Sequence, residues 1–261
     1  MSGSFAVPPA PTGGTDAVPA VRRVGVGAPL RWLGLGWRDL WRQPAASLFY
    51  GIAIAVSGAV ILGVTATLPY LFTAAITGFL LVAPMLAAGL YELSRRYLAG
   101  ESAALADSMV AWRRNPSGMV GFGLMSILAG TAWQVASVVI VALFYQGPAL
   151  APKAMIIEIV VNPQHYRMFF IYMLSGGVLA AVVFALSVVS MPMLVDRRGD
   201  LLAALTTSVN AVAENPLPLA LWAALLMLLT GIGFATALLG LVVVMPWLGH
   251  ASFHAYKDLV D

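Results

Sequence analysis

The feature that most constrains the fold of this chain is a pattern that occurs three times. A charged amphipathic stretch comes first, an Asn-Pro or Gln-Pro dipeptide follows, and a long run of uncharged apolar residues comes last. The three dipeptides are Gln43-Pro44, Asn115-Pro116 and Asn215-Pro216. Each run is followed by a second apolar segment with its own proline, and these prolines are Pro84, Pro192 and Pro246. The pattern predicts three helical hairpins in a membrane.

The composition supports a membrane protein. Charged residues make up 10% of the chain and apolar residues 61%, whereas soluble domains have about 25% charged residues. Crossing a hydrocarbon layer of roughly 30 Å takes about 20 apolar residues in a helix. Backbone amides in lipid must bond within their own segment, and these runs lack the polar and apolar alternation of barrel strands. We therefore predict an all-α, polytopic membrane protein.

Six spans are expected within a single domain, residues 28–261. They cover about 45–68, 70–91, 117–146, 168–195, 217–232 and 235–254. Residues 1–27 are rich in Pro, Gly, Ala and Val. Such a segment has too few large apolar side chains to form a core, so a disordered cytoplasmic tail is predicted there.

The last apolar run is too long for one span and is divided by comparison with the first hairpin. Aligning Pro246 with Pro84 also aligns Lys257 with Arg95. The turn is placed at 231–236, because the Gly-Ile-Gly sequence there can change chain direction at low cost. A single span in this region, giving five in total, is the alternative.

The basic residues predict the orientation. Of the 14 Lys and Arg residues, all except Lys153 and Arg167 fall on one side of a six-span arrangement. Cytoplasmic loops are enriched in Lys and Arg. Both termini are therefore expected in the cytoplasm.

Each hairpin is expected to follow an amphipathic helix that lies on the cytoplasmic surface. The apolar positions with helical spacing are Leu33, Gly36, Trp37, Leu40 and Trp41 in the first copy, Leu105, Met109 and Trp112 in the second, and Leu202, Leu205, Val209 and Val212 in the third. Basic residues on another face of the first helix are typical of an interfacial segment. Such helices either anchor the protein or recognise anionic lipid or a partner.

Local backbone chemistry assigns roles to the repeated prolines. The residue before a proline is pushed out of the helical region, and proline suits the first turn of a new helix. Gln43-Pro44, Asn115-Pro116 and Asn215-Pro216 are therefore interpreted as elbows, with Asn as a helix N-cap. Pro84, Pro192 and Pro246 each remove a backbone donor within a span, so they are interpreted as helix kinks.

Chemical sites are scarce in the sequence. The chain contains no cysteine, which excludes disulfides, thiolate nucleophiles and iron–sulfur ligation. His250 and His254 share a helix face and could bind a metal or haem, although interfacial histidines without such a role are commoner. Glu92 and Asp196 are expected to form solvated ion pairs with neighbouring arginines. No nucleophile with a base is evident, so neither an enzyme nor a cofactor is predicted.

Several strings resemble a known family. They are RWL at 31–33, WRDLWR at 37–42, GLYELSRR at 89–96, AWRRNP at 111–116, SVVSMPML at 187–194 and GHASFHAY at 249–256. Together they resemble domain of unknown function 2189, a family of bacterial integral membrane proteins. The resemblance covers roughly residue 21 to the C-terminus and implies an inner-membrane location. It brings no activity and no catalytic residue.

Three functional hypotheses follow from these observations. The preferred one is a non-catalytic scaffold, accessory or lipid-interacting module of the membrane. The second is a channel or transporter for a small neutral or lipid-like solute, and the third is a haem or metal accessory of a respiratory complex. Membrane lipids are the expected partners, with other membrane proteins or a second copy as further ones, and nucleic acid is not expected because the basic residues form no coherent surface.

Overall fold

The computed structural model describes residues 18–67, 72–145, 162–197 and 199–260, which are helical and contain no β-strand. The helices are α1 (Ala28–Arg42), α2 (Pro44–Thr67), α3 (Phe72–Ala99), α4 (Leu105–Ser108), α5 (Pro116–Phe144), α6 (Tyr166–Ser187), α7 (Ser190–Asp196), α8 (Leu201–Glu214), α9 (Pro216–Ala235) and α10 (Leu241–Leu259). Short 3₁₀ turns, Ala111–Arg114 and Pro163–His165, precede α5 and α6. The all-α prediction is confirmed.

Four segments of the described chain are long and apolar enough to cross a membrane. They are Pro44–Val64, Pro116–Phe144, Pro163–Asp196 and Pro216–Ala235. These segments correspond to the first, third, fourth and fifth predicted spans. The second predicted span, 70–91, falls mainly within α3, where the side chains of residues 72–85 lie outside the described part. The sixth, 235–254, corresponds to α10, which is not among the four.

The turn between the last two helices differs from the prediction. Residues 231–236 were expected to turn, but α9 continues to Ala235, and α10 starts at Leu241. The chain reverses at Ala237 and Leu238, whose φ angles are 52° and 70°. Gly233 is needed for packing instead, because a Cβ there would lie 2.3 Å from Cδ2 of Leu241. Gly233 therefore marks a close contact and not the turn.

Helix α10 lies at the centre of the bundle and packs on α1, α2, α3 and α9. Its contact with α2 is very close, since a Cβ at Gly51 would lie 1.9 Å from the carbonyl oxygen of Val242. Its contact with α1 is similar, with Gly36 against the backbone of Ala251. Small residues allow such approach between membrane helices. The resulting core contains Trp32, Trp222 and Phe253, all completely buried.

Helices α5 and α6 form a second part of the bundle. Helix α5 packs on both α3 and α6. The chain breaks its helix at Val188 and Val189, and the Val189 amide donates to the Ser208 hydroxyl of α8 over 3.1 Å. Pro192 lies in the first turn of α7, where no intrahelical donor is required. The predicted kink at Pro192 is therefore a helix break followed by a proline in the new N-terminal turn.

The other two predicted kinks lie inside helices. Pro246 is an internal residue of α10 and is buried. Pro84 is within the bounds of α3, but its side-chain contacts lie outside the described residues. Neither position ends its helix.

The segment before α1 packs against the C-terminus. Val21 forms an isolated antiparallel bridge with Val260, and the Arg22 amide donates to the Leu259 carbonyl over 2.8 Å. The Arg22 guanidinium also donates to the carbonyl of Val260. The disordered tail predicted for 1–27 is therefore wrong for residues 21–25, because backbone pairing and not side-chain volume holds them; residues 1–17 lie outside the described part.

The three elbows each place proline at the first residue of a helix: Pro44 in α2, Pro116 in α5 and Pro216 in α9. Gln43 is the residue between α1 and α2. The Asn115 side chain accepts from the Gly118 amide, as an N-cap does. Asn215 differs, because it accepts from the Val24 amide and donates to the Arg22 carbonyl. It fastens the N-terminal segment to the bundle instead of capping α9 with its side chain.

The predicted surface helices need three corrections. In α1, Leu33, Gly36 and Leu40 are buried, whereas Trp37 and Trp41 are exposed. The second copy is not one helix but the short α4 and a 3₁₀ turn. In α8 the buried face consists of small residues, and Leu202 and Val209 point outward. The apolar stripe of the third copy is thus divided, since Leu202 and Val209 are exposed while Leu205 and Val212 are partly buried.

Candidate functional site

Five buried polar side chains from four helices form a network, which we call the Asp39 network. They are Asp39 of α1, Ser47 of α2, Ser94 of α3, and His250 and His254 of α10. Ser94 Oγ lies 2.8 Å from both Asp39 Oδ2 and His250 Nδ1. The other two contacts are 3.0 Å from His250 Nε2 to Ser47 Oγ and 2.8 Å from His254 Nε2 to Asp39 Oδ2. The network joins α1, α2 and α3 to the central helix.

The network has one consistent direction of proton donation. A carboxylate only accepts hydrogen bonds, so Ser94 and the Nε2–H of His254 both donate to Asp39. The Ser94 oxygen then accepts from Nδ1–H of His250, and the Ser47 hydroxyl donates to the Nε2 lone pair of His250. Every one of these contacts is satisfied with both histidines neutral.

Asp39 is an anion in this environment although it is 3% exposed. Burial alone would raise its pKa. Hydrogen bonds from His254 and Ser94, together with the positive charges of His254 and His250 when they are protonated, outweigh burial and hold the pKa of Asp39 below its usual value of 3.8. Arg42 adds a cation, with Nη1 3.4 Å from Asp39 Oδ1.

The arrangement does not fit metal or haem ligation by His250. Both ring nitrogens of His250 are engaged by serines, and Nε2 of His254 faces Asp39. A ligating histidine needs an unprotonated nitrogen aimed at the metal. Among the described residues, no group of three or more His, Cys, Asp or Glu side chains is arranged to hold a metal ion. The geometry gives His250 a structural role and fixes His254 against Asp39 through Nε2.

The Ser47 and His250 contact is one that sequence reasoning did not find. A hydroxyl that donates to an imidazole is the contact between a nucleophile and its general base. Both side chains are completely buried. No substrate reaches the Ser47 hydroxyl in this conformation, so the pair ties α2 to α10.

A second buried acid lies near the end of α3. Glu92 is 2% exposed and accepts two 2.8 Å hydrogen bonds from Arg95 and one of 2.9 Å from Arg96. Arg114 of the 3₁₀ turn lies 3.7 Å away. Burial would raise the pKa of Glu92, but the hydrogen bonds from Arg95 and Arg96 hold it below its usual value. The solvated ion pair expected for Glu92 is therefore a buried one, because three arginines from two elements surround it.

Asp196 joins the C-terminal end of α10 to α7. The Tyr256 hydroxyl donates to its Oδ2 over 2.8 Å, and Lys257 Nζ lies 3.0 Å from the same atom. Arg197 Nε donates to the Tyr256 hydroxyl over 3.0 Å. The Tyr256 ring is completely buried. These contacts close the bundle on the side of the Asp39 network.

The outer face of α1 combines exposed aromatic and basic residues. Trp37 and Trp41 are 41% and 51% exposed, and their rings meet edge to face at 5.6 Å. Trp37 also packs edge to face on Trp247 of α10. Arg38, exposed between them, forms no ion pair with an acid among the described residues. We call Trp37, Arg38 and Trp41 the α1 face.

A cavity of about 270 Å³ lies between α3, α5, α6, α7, α9 and α10. Its wall is largely apolar and includes Phe122, Phe184 and Leu226. Tyr91, Trp222 and three serines, Ser126, Ser187 and Ser252, provide the polar atoms. Among the described residues, no charged side chain lines the cavity.

Asp39 is the functional candidate that the sequence interpretation missed. The buried face of α1 contains Trp32, Leu33, Gly36, Asp39 and Leu40, which follow helical spacing. The available sequence signal was an acidic residue, Asp39, at a position of the apolar face of α1. It was overlooked because neighbouring arginines made Asp39 look like part of the charged face.

Taken together, the helical bundle with its apolar outer surface defines an integral membrane protein. Residues 71–196 match the model of the family DUF2189, described as a predicted integral membrane protein. This match confirms the family resemblance over that segment, while the strings at 31–42 and 249–256 lie outside it. No curated protein and no solved structure matches the chain.

Proposed function

We propose that this protein is a non-catalytic, lipid-interacting module of the bacterial inner membrane, and that the α1 face is its contact with anionic lipid headgroups. The observation that carries the proposal is the exposed pair Trp37 and Trp41 around Arg38. Tryptophan is favoured at the level of the headgroups, and arginine binds phosphate well. Trp37 and Trp41 set the depth of α1 in the headgroup region, and the Arg38 guanidinium provides selectivity for anionic lipid.

The outer surface of the bundle supports the same proposal. Large apolar side chains on α5, α6 and α9 are mostly exposed, among them Leu128, Leu174 and Met227. Leu202 and Val209 of α8 extend this surface. An apolar surface of this size is a contact with lipid or another membrane protein.

The first prediction tests lipid selectivity at the α1 face. A basic residue near an anionic membrane contributes about 1 kcal/mol. Arg38→Gln is therefore expected to weaken retention of phosphatidylglycerol about fivefold relative to phosphatidylcholine. Native mass spectrometry of protein released from mixed-lipid nanodiscs measures this ratio.

The matched control is Arg23→Gln. Arg23 is also exposed, but it forms an ion pair with Glu214 at 2.7 Å and lies outside α1. We expect this variant to keep the wild-type lipid ratio. Equal lipid ratios for Arg38→Gln and wild type would contradict the proposed headgroup contact.

We further propose six spans as three hairpins, α2 with α3, α5 with α6 and α7, and α9 with α10, with both termini in the cytoplasm. Support comes from the proline at the start of α2, α5 and α9, and from the tight reversal at Ala237 and Leu238. In this arrangement the reversal lies on the periplasmic side. The buried Asp39, Glu92 and Asp196 clusters then all lie on the cytoplasmic side.

The second prediction tests this topology. The chain contains no cysteine, so single introduced cysteines report unambiguously. Ala237→Cys is expected to react with a membrane-impermeant maleimide in intact spheroplasts. Ser102→Cys, between α3 and α4, is expected to react only after permeabilisation. If Ala237→Cys also required permeabilisation, the last two helices would not form a transmembrane hairpin.

A further inference from the structure

The cavity between α3, α5, α6, α7, α9 and α10 is separate from both the α1 face and the Asp39 network. Its volume of about 270 Å³ exceeds the roughly 150 Å³ that holds benzene in an apolar protein cavity. It is smaller than a complete phospholipid. The space therefore fits one portion of a larger apolar molecule, or a small molecule of about two rings.

The lining specifies an uncharged occupant. Phe122, Phe184 and Leu226 contribute apolar surface, and no Lys, Arg, Asp, Glu or His side chain of the described part of the chain reaches the wall. A charged ligand group would be desolvated there without a partner, at a high cost in free energy. Binding is thus restricted to a neutral, mainly apolar group.

The polar atoms of the lining leave two donors available, the hydroxyl of Tyr91 and Nε1 of Trp222, which is buried without a hydrogen-bond partner among the described residues. Ser126 donates to the Phe122 carbonyl, and Ser252 donates to the Leu248 carbonyl. Ser187 likewise donates within its own helix, to Phe184 over 3.4 Å. The hydroxyl of Tyr91 differs, because no hydrogen bond joins it to another described residue. A tyrosine hydroxyl in an apolar surrounding normally has a partner, so Tyr91 offers a donor to a hydrogen-bond acceptor on the occupant.

The position of Tyr91 indicates which acceptor is present. Tyr91 directly precedes Glu92, whose arginine cluster marks the polar end of α3. The helices α5, α6 and α9 around the cavity are candidate membrane spans. Lipid ester carbonyls occupy this boundary between the headgroups and the hydrocarbon layer. Lipid is also the most concentrated apolar molecule that surrounds these helices.

We propose that this cavity binds the ester-proximal part of a membrane lipid acyl chain, with the Tyr91 hydroxyl donating to the ester carbonyl oxygen. The methylenes nearest the ester contact Phe122, Phe184 and Leu226. The headgroup remains outside. Recognition therefore depends on the ester and the chain and not on headgroup charge.

The experiment uses full-length protein in nanodiscs that contain a phospholipid with a diazirine on the acyl chain near its ester. Mass spectrometry after illumination is expected to locate the adduct on peptides that line the cavity. Ser126→Phe fills the cavity and should reduce this adduct at least tenfold. Leu124→Phe introduces the same residue on the exposed side of α5 and should leave the adduct unchanged.

Tyr91→Phe removes one hydroxyl without filling the cavity. It therefore tests lipid binding in the cavity even if Ser126→Phe fails to fold. Loss of one hydrogen bond should reduce the adduct about 2- to 10-fold. The proposal is overturned if Tyr91→Phe labels like wild type, if adducts spread evenly over exposed helices, or if native mass spectrometry shows a quinone or other non-lipid molecule in the site. Because headgroup charge is not used, the Arg38→Gln result can fail independently of this one.

Discussion

Gly51→Ala is expected to destabilise the protein by about 3 kcal/mol, because the α2 and α10 backbones touch at this position. A Cβ at residue 51 would lie 1.9 Å from the Val242 carbonyl oxygen and 2.7 Å from the carbonyl carbon. Neither atom belongs to a flexible side chain, so the two helices must separate. Separation also stretches the contact between Ser47 and His250 one turn away. Unfolding in a titration with SDS at constant mixed-micelle concentration measures the loss.

Gly63→Ala is the matched control on the same helix. An added methyl group at residue 63 meets no atom within 4 Å. Replacing glycine by alanine in a helix interior then raises stability, by about 0.5–1 kcal/mol. The two identical substitutions should therefore act in opposite directions. Equal effects would show that α2 and α10 do not pack as closely as the structure indicates.

Sequence patterns predicted the class of this fold because apolar length and the Asn-Pro dipeptides are local properties. The starts of α2, α5 and α9 follow directly from proline's fixed φ and its missing donor. The sequence patterns did not show which face of each helix points towards the protein interior. In α8 Leu202 and Val209 are exposed and the small residues are buried, since both lipid and protein are apolar and small residues permit the closest helix contact. In a membrane protein, apolar periodicity identifies a helix but does not distinguish the face that packs in the protein from the face that contacts lipid.

The buried polar network could be predicted only in part, for a similar reason. The spacing of His250 and His254 placed them on one face, but their partners lie more than 150 residues away along the chain. Asp39 had a local signal, an acid within an apolar face. Ser47 and Ser94 had none, because a serine among small residues is ordinary in membrane helices. Their role depends on the crossing of α2, α3 and α10, which no local pattern specifies.

Asp39→Ala is expected to reduce stability by about 2–4 kcal/mol, because it leaves the buried His254 Nε2–H without an acceptor and removes the acceptor of Ser94. Asp39→Asn retains an acceptor oxygen and should cost less. The control is Asp107→Asn, which weakens an ion pair with Arg96 that is partly exposed to solvent. Such a pair contributes about 0–1 kcal/mol. An Asp39→Ala variant as stable as the control would contradict a structural role for the network.

The pH dependence of stability distinguishes the contribution of the Asp39 charge from that of its side-chain shape. Its pKa is lowered in the folded state, so folded protein binds this proton less readily than unfolded protein does. The stabilisation is therefore present above the unfolded value of about 3.9 and is lost as pH falls below it towards the folded pKa. Wild type should lose stability over this acidic range more steeply than Asp39→Asn, which cannot titrate there. Parallel stability profiles for the two proteins between about pH 5 and pH 2 would mean that His254 and Ser94 do not favour the carboxylate over its protonated form.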